Sequence, residues 1–147
     1  MSTHRQMILD QIETMLNGIE ENDSAVFKHV AIGEITPVDL DTVAFPAIFV
    51  FPGPEKRMDE VTDMEQWEWT IIFEVWAKDE DMEHLLGLLH TVMAKNNSDG
   101  GLICSTLMGV IHVMRMSSDM LVVDPDRSLL AMVVTFSVLY RHSYGQP

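Results

Sequence analysis

The sequence predicts an α+β domain, a mainly antiparallel sheet of about four to five strands with two helices packed on one face, in the order α-β-β-β-α-β-β. Three observations predict it. Residues 66–77 alternate between a wholly apolar face and a mainly polar one, the mark of a strand covered on one side. Two segments, near each end of the first two thirds of the chain, repeat apolar residues at helical spacing. Turn-forming clusters of Gly, Pro, Asn and Asp separate these segments from further apolar runs.

The first helix is expected over about 3–17. Ile8, Leu9, Ile12, Met15, Leu16 and Ile19 form one apolar face. Thr3 with Gln6 fits a capping box, and Gly18 suits a left-handed C-cap. Residues 20–24 read as a polar turn, and a weakly alternating strand follows over roughly 25–35. Residues 36–45 read as irregular, between Pro37 and Pro46. The apolar stretch 47–51 is a short strand, which Pro52-Gly53-Pro54 is expected to break. Residues 55–64 then read as a charged loop.

The strand over 66–77 places Trp67, Trp69, Ile71, Phe73, Val75 and Ala77 on one face, and Trp76 on the otherwise polar one. A second helix fits 79–95. Met82, Leu85, Leu86, Leu89, Val92 and Met93 lie along one side, and Asp79, Glu80 and Asp81 in the first turn suit the macrodipole. Residues 96–101, Asn-Asn-Ser-Asp-Gly-Gly, stop it. A fourth strand is expected over 107–116. The turn Asp124-Pro125-Asp126 leads to a last strand over 129–140 that is apolar on both faces. A helix on each face, or a helix on one and a neighbouring subunit on the other, would both cover it.

At 147 residues the chain fits one domain spanning 1–147, and its 47% hydrophobic content suffices for a core. No apolar run reaches the ~18 residues of a membrane span. Met1 to Asp10 lacks the apolar stretch of a secretory signal, and the single Cys104 cannot close an internal disulfide. Nine Lys and Arg face 23 Asp and Glu, a net charge of −14. That balance repels nucleic-acid phosphate and gains little at an anionic membrane. The twelve methionines read mainly as core filler.

Catalytic motifs are missing from the sequence. It contains no phosphate-cradling glycine loop, nucleophile elbow or zinc-binding H-E-x-x-H. Glu80 and His84 share a helical face, but lack a third metal ligand nearby. Cys104 reads as a buried, inert thiol rather than a nucleophile. The pairs Asp39/Asp41 and Asp124/Asp126 read as turn residues rather than acid–base partners. Trp67 and Trp69 sit among acids, so they suit core packing rather than base stacking. No cofactor or metal is expected, and the chain reads as an assembly subunit rather than an enzyme.

In order along the chain stand four phrases: Arg5-Gln6-Met7-Ile8-Leu9 in the opening helix; Phe45-Pro46-Ala47-Ile48-Phe49-Val50-Phe51-Pro52-Gly53; the strand from Trp67 to Trp76; and Phe136-Ser137-Val138-Leu139-Tyr140-Arg141. In this order the chain resembles the tail terminator family of long-tailed bacteriophages, also called minor tail or tail completion proteins. The resemblance covers nearly the whole chain. It implies a virion protein, made in the host cytoplasm, that forms a hexameric ring on the head-proximal end of the tail tube. Such a ring stops tube polymerisation and offers a surface to the head–tail connector protein. DNA would pass through the lumen without specific binding, and acidic walls would suit that passage. The family supplies no catalytic residues.

For contacts, the charged stretch 52–64, with Pro52, Gly53, Glu55, Lys56 and Arg57, is expected to meet the tube or a neighbour. Trp76, Leu129, Ala131 and Val133 are candidates for subunit contacts, and Arg141 and Tyr144 for a reaching tail. Rival readings are a head–tail connector or stopper protein, a ligand-binding α+β protein with a polar pocket, and a cellular adaptor subunit.

Overall fold

The computed structural model describes residues 3–33, 43–58, 64–105 and 108–143. Helix α1 spans His4–Asn17 and buries Ile8, Ile12, Met15 and Leu16. Thr3 is its N-cap, accepting from the Gln6 amide. The capping box is half made, because the Gln6 side chain donates to Asp10 instead, at 2.8 Å. Gly18 ends the helix with φ −87°, so the left-handed cap expected there does not form. The reversal comes four residues on. Strands β1 (Glu20–Glu21) and β2 (Ser24–Ala25) form a tight antiparallel hairpin, with Asn22 and Asp23 at φ 54° and 61°. Both residue types tolerate the positive φ that a two-residue turn of this hand demands.

The main sheet has five strands. β3 is His29–Ile32, β4 Ala47–Arg57, β5 Met64–Lys78, β6 Val110–Asp124 and β7 Leu129–Ser143. Their spatial order is β3-β4-β5-β7-β6. Among the described residues only the β3–β4 pair of this sheet is parallel; its other pairs are antiparallel. Helix α2, Met82–Met93, buries Met82, Leu85, Leu86, Leu89, Val92 and Met93, and Asp81 caps it by accepting from the Glu83 and His84 amides. Both helices lie on one face of the sheet, as the sequence predicts. There they cover Trp69, Ile71, Phe73, Val75 and Ala77 of β5, none more than 1% exposed. Phe73 meets Phe136 of β7 edge to face, with centroids 5.4 Å apart.

Several boundaries differ from the expected ones, each for a physical reason. The first main strand is His29–Ile32, pairing with four residues of β4 before Gly33, φ 68°; residues 34 and 35 of the expected strand lie outside the described residues. Pro52-Gly53-Pro54 does not break β4. The ladder slips between Pro52 and Glu55 and then resumes through Arg57. Among the described residues β3 accompanies β4 only from Ala47 to Val50, and there the outer edge at the prolines has no ladder partner that a donor would serve. Residues 55–57, expected as loop, are therefore strand; 59–63 lie outside the described residues. β6 runs on to Asp124 instead of stopping near Met116, because an edge strand needs no clean alternation.

The opposite face of the sheet carries a second, smaller cluster of Ala31, Ala47, Phe49, Trp76 and Ala131, with Val43, Phe45 and Phe51 packed against it. Val43 and Phe45 belong to the segment that returns the chain from β3 to its parallel neighbour β4. Part of the two-sided apolar character of β7 thus finds cover within the chain, from a crossover segment.

Candidate assembly interface

β6 closes the sheet on one side, and beyond it lies solvent. Its large exposed hydrophobic side chains are Met114, Met116, Met120 and Leu121, at 50%, 54%, 65% and 45% exposure. Isolated exposed apolar residues are ordinary; here four fall within eight positions of one edge strand, on both faces of it, since Met114 stands opposite Ser137 and Met120 opposite Met132. The main helix–strand packing lies elsewhere, with α1 toward β3 and α2 toward β5. β6 also slips register against β7 three times, between Val110 and His112, Arg115 and Ser117, and Met120 and Val122. Each slip inserts one apolar residue, Ile111, Met116 or Leu121. Such bulges twist an edge and spoil it as a template for a further strand. What β6 offers is side chains rather than a free backbone ladder. The sequence signal for this edge was the Met-x-Met and Met-Leu pairs flanking Ser117-Ser118-Asp119; reading methionine as core filler passed over it.

The residues singled out from the sequence do not gather at one place. Gly53 and Glu55 are turned into the domain. The Trp69 indole donates to the Gly53 carbonyl at 3.1 Å, and a Cβ at Gly53 would lie 2.7 Å from the Thr70 carbonyl oxygen. Glu55 takes the Arg5 guanidinium at 2.6 Å on one carboxylate oxygen and the Tyr140 hydroxyl on the other. Thr3, Arg5, Glu55, Trp67 and Tyr140 line a recess of about 210 Å³ there. Burial, then the hydrogen bond and charge of Glu55, push the Tyr140 phenol well above its usual range, with Arg5 opposing. Pro52 and Lys56 are exposed, and Arg57 reaches Glu65 at 3.7 Å.

Trp76, Leu129 and Ala131 are 9%, 5% and 0% exposed, already covered within the chain, whereas Val133 is half-buried. The Trp76 indole donates to Glu74 at 3.3 Å. Arg141 donates through Nε to Gln66 at 2.9 Å, and Tyr144 lies outside the described residues. Asp39 and Asp41 lie outside them too.

Glu80 and His84 do not converge. The Glu80 carboxylate accepts from the Lys78 amide at 3.1 Å, while His84 faces Glu21 of β1 at 2.8 Å. Among the described residues no group of three or more His, Cys, Asp or Glu could hold a metal ion. Cys104 is exposed rather than buried, because its φ of 65° turns it out of the loop that precedes β6. No helix among the described residues is long and apolar enough to cross a membrane.

No family model matches the chain, and no curated protein matches it. Among solved structures it is similar to a chain from the virion of a native gene transfer agent particle. The two share 11% identity with a TM-score of 0.45, over 76% of this chain and 78% of that one.

Proposed function

We propose that this chain is a structural subunit of a bacteriophage virion rather than an enzyme. It closes into a ring, six subunits by resemblance, on the head-proximal end of the tail tube. The ring ends tube polymerisation and presents its other face to the head–tail connector. The observation that carries this reading is the apolar edge of β6, an uncovered contact surface on an otherwise acidic domain. The ordered resemblance of four sequence phrases to tail terminators supplies the particular assembly. A subunit that repeats head to tail around a closed axis leaves two unlike faces, one to copy the tube contact and one to stop it. The net charge of −14 suits a lumen through which DNA slides without sticking.

The test is an elongation assay. Tail-tube protein is polymerised with and without the purified chain, and tube lengths are measured by negative-stain microscopy. Substoichiometric chain should arrest growth at short lengths. An unchanged length distribution, at any ratio of chain to tube protein, removes the terminator role. Binding to isolated portals instead of tubes assigns the chain to the connector.

A further inference from the structure

The chain has twelve methionines, and the fold sorts them by their access to solvent. Met15, Met82, Met93 and Met108 are core residues, none more than 8% exposed. Met7, Met58 and Met132 are half-buried. Met114, Met116 and Met120 are at least half exposed, and all three belong to β6. The ladder spreads them over that strand. Met114 stands opposite Ser137 on one face and Met120 opposite Met132 on the other, and Met116 is the residue inserted at the slip between Arg115 and Ser117.

We propose that Met114, Met116 and Met120 form a modification site for hydroperoxides, and that their oxidation turns the β6 edge from apolar to polar while the fold stays intact. The consequence for assembly rests on the reading of β6 as a contact surface. The chemistry is a two-electron oxidation. The thioether sulfur attacks one peroxide oxygen and the O–O bond breaks. The sulfur keeps that oxygen as a sulfoxide, and the hydroxyl proton passes to the other oxygen, which leaves as water or, from an organic hydroperoxide, as an alcohol. The oxidant must reach the sulfur, so exposure decides which methionines react. The added oxygen makes a flexible apolar side chain polar, which disrupts packing in a core. At these three positions it costs the fold little, because each already gives half or more of its surface to solvent.

The edge, by contrast, loses what sets it apart. Among the described residues the large exposed hydrophobic side chains are these three methionines and Leu121, and only Leu121 is inert to peroxide. Three sulfoxides beside Arg115, Ser117, Ser118 and Asp119 leave Leu121 as the one large apolar side chain still exposed there. Because β6 slips register three times and offers side chains rather than a regular ladder, a contact made through it depends on those side chains. Methionine sulfoxide reductases return the thioether, so the change is reversible.

The experiment treats the full chain with graded hydrogen peroxide, in a Cys104→Ser background because that thiol is also exposed. Peptide mass mapping follows each methionine, and near-ultraviolet circular dichroism follows the packing. The expected result is sulfoxide at Met114, Met116 and Met120 before any at Met82, Met93 or Met108, with an unchanged spectrum. Oxidation spread evenly over exposed and core methionines, or a spectrum lost in step with the three, overturns the proposal. Tube capping is then compared before and after peroxide. Oxidised chain should be needed at about tenfold higher concentration for the same capping, and methionine sulfoxide reductases should restore it. Met116→Gln with Met120→Gln, which carries polar side chains of similar length, should weaken capping without peroxide. In the variant Met114→Leu/Met116→Leu/Met120→Leu, peroxide should leave whatever capping it shows unaltered; a loss there overturns the assignment to these residues. The two readings fail separately. Selective oxidation of a chain that ignores tubes even when untreated leaves the modification site standing and removes the terminator role; capping that survives oxidation of all three methionines does the reverse.

Discussion

Glu55→Ala should destabilise the isolated subunit by about 2–3 kcal/mol, an unusual cost for a charged residue near a strand end. Two interactions are lost. The Tyr140 hydroxyl donates to the Glu55 carboxylate from a side chain only 3% exposed, and a hydrogen bond to a charged group is worth ~1.5–3 kcal/mol. The Arg5 pair adds less than ~1 kcal/mol, because the arginine side chain is 56% exposed and solvent screens it. The variants should therefore rank in a fixed order. Glu55→Ala costs most. Tyr140→Phe costs about 1–2 kcal/mol, since Glu55 keeps its arginine. Arg5→Ala costs least. Urea unfolding with unchanged m-values measures all three. The double variant Glu55→Ala/Tyr140→Phe should show a coupling of at least ~1 kcal/mol. High salt should erase the Arg5 contribution and leave the tyrosine one. If Glu55→Ala falls within ~0.5 kcal/mol of wild type, as ordinary surface changes do, the reasoning is refuted and Glu55 is free for an external contact.

Three further outcomes follow from the same geometry. The chain has two tyrosines, so a Tyr144→Phe variant reports Tyr140 alone. Its phenol is raised in the folded state, so its contribution to stability is whole below about pH 10, the unfolded value, and is lost as pH rises further toward the folded value. Phenolate absorbance should appear late and together with unfolding; a reversible titration near pH 10 in the folded protein would contradict this. Trp76→Glu should cost more than ~3 kcal/mol in the monomer, by removing a large buried side chain and placing a charge among Ala31, Phe49 and Ala131. A stable monomer with defective assembly would instead assign Trp76 to an interface. Gly109→Ala should lower thermal stability strongly, because its φ of 74° strains an L residue and the added Cβ would collide with the Arg141 carbonyl oxygen. An unchanged melting temperature would show that this start of β6 yields easily.

The fold was legible where one periodicity ran long enough. α1, α2 and β5 each bury a regular face, and their core residues could be named from spacing alone. Boundaries failed where tertiary context decides. Pro52 and Pro54 look like breakers, yet they sit where β4, among the described residues, has no ladder partner on its outer edge that a donor would serve. β6 could not be followed past Met116, since its bulges shift the alternation and its outer positions face solvent. The interface was less legible still. Glu55 is charged and follows two prolines, which suggests surface, but its partners Arg5 and Tyr140 are 50 and 85 residues away. Met114, Met116, Met120 and Leu121 are apolar, which suggests core, but they occupy an edge that the two helices leave uncovered. Residue type misleads in opposite directions at these two places, and only strand order explains both.

The most direct test of the terminator account is to image tail tubes incubated with tagged, purified chain, and to count the subunits bound per tube by light scattering. The account predicts a ring of about six subunits at one end of each tube and none at the other. Chain bound at both ends, spread along the tube wall, or left monomeric beside bare tubes would contradict it.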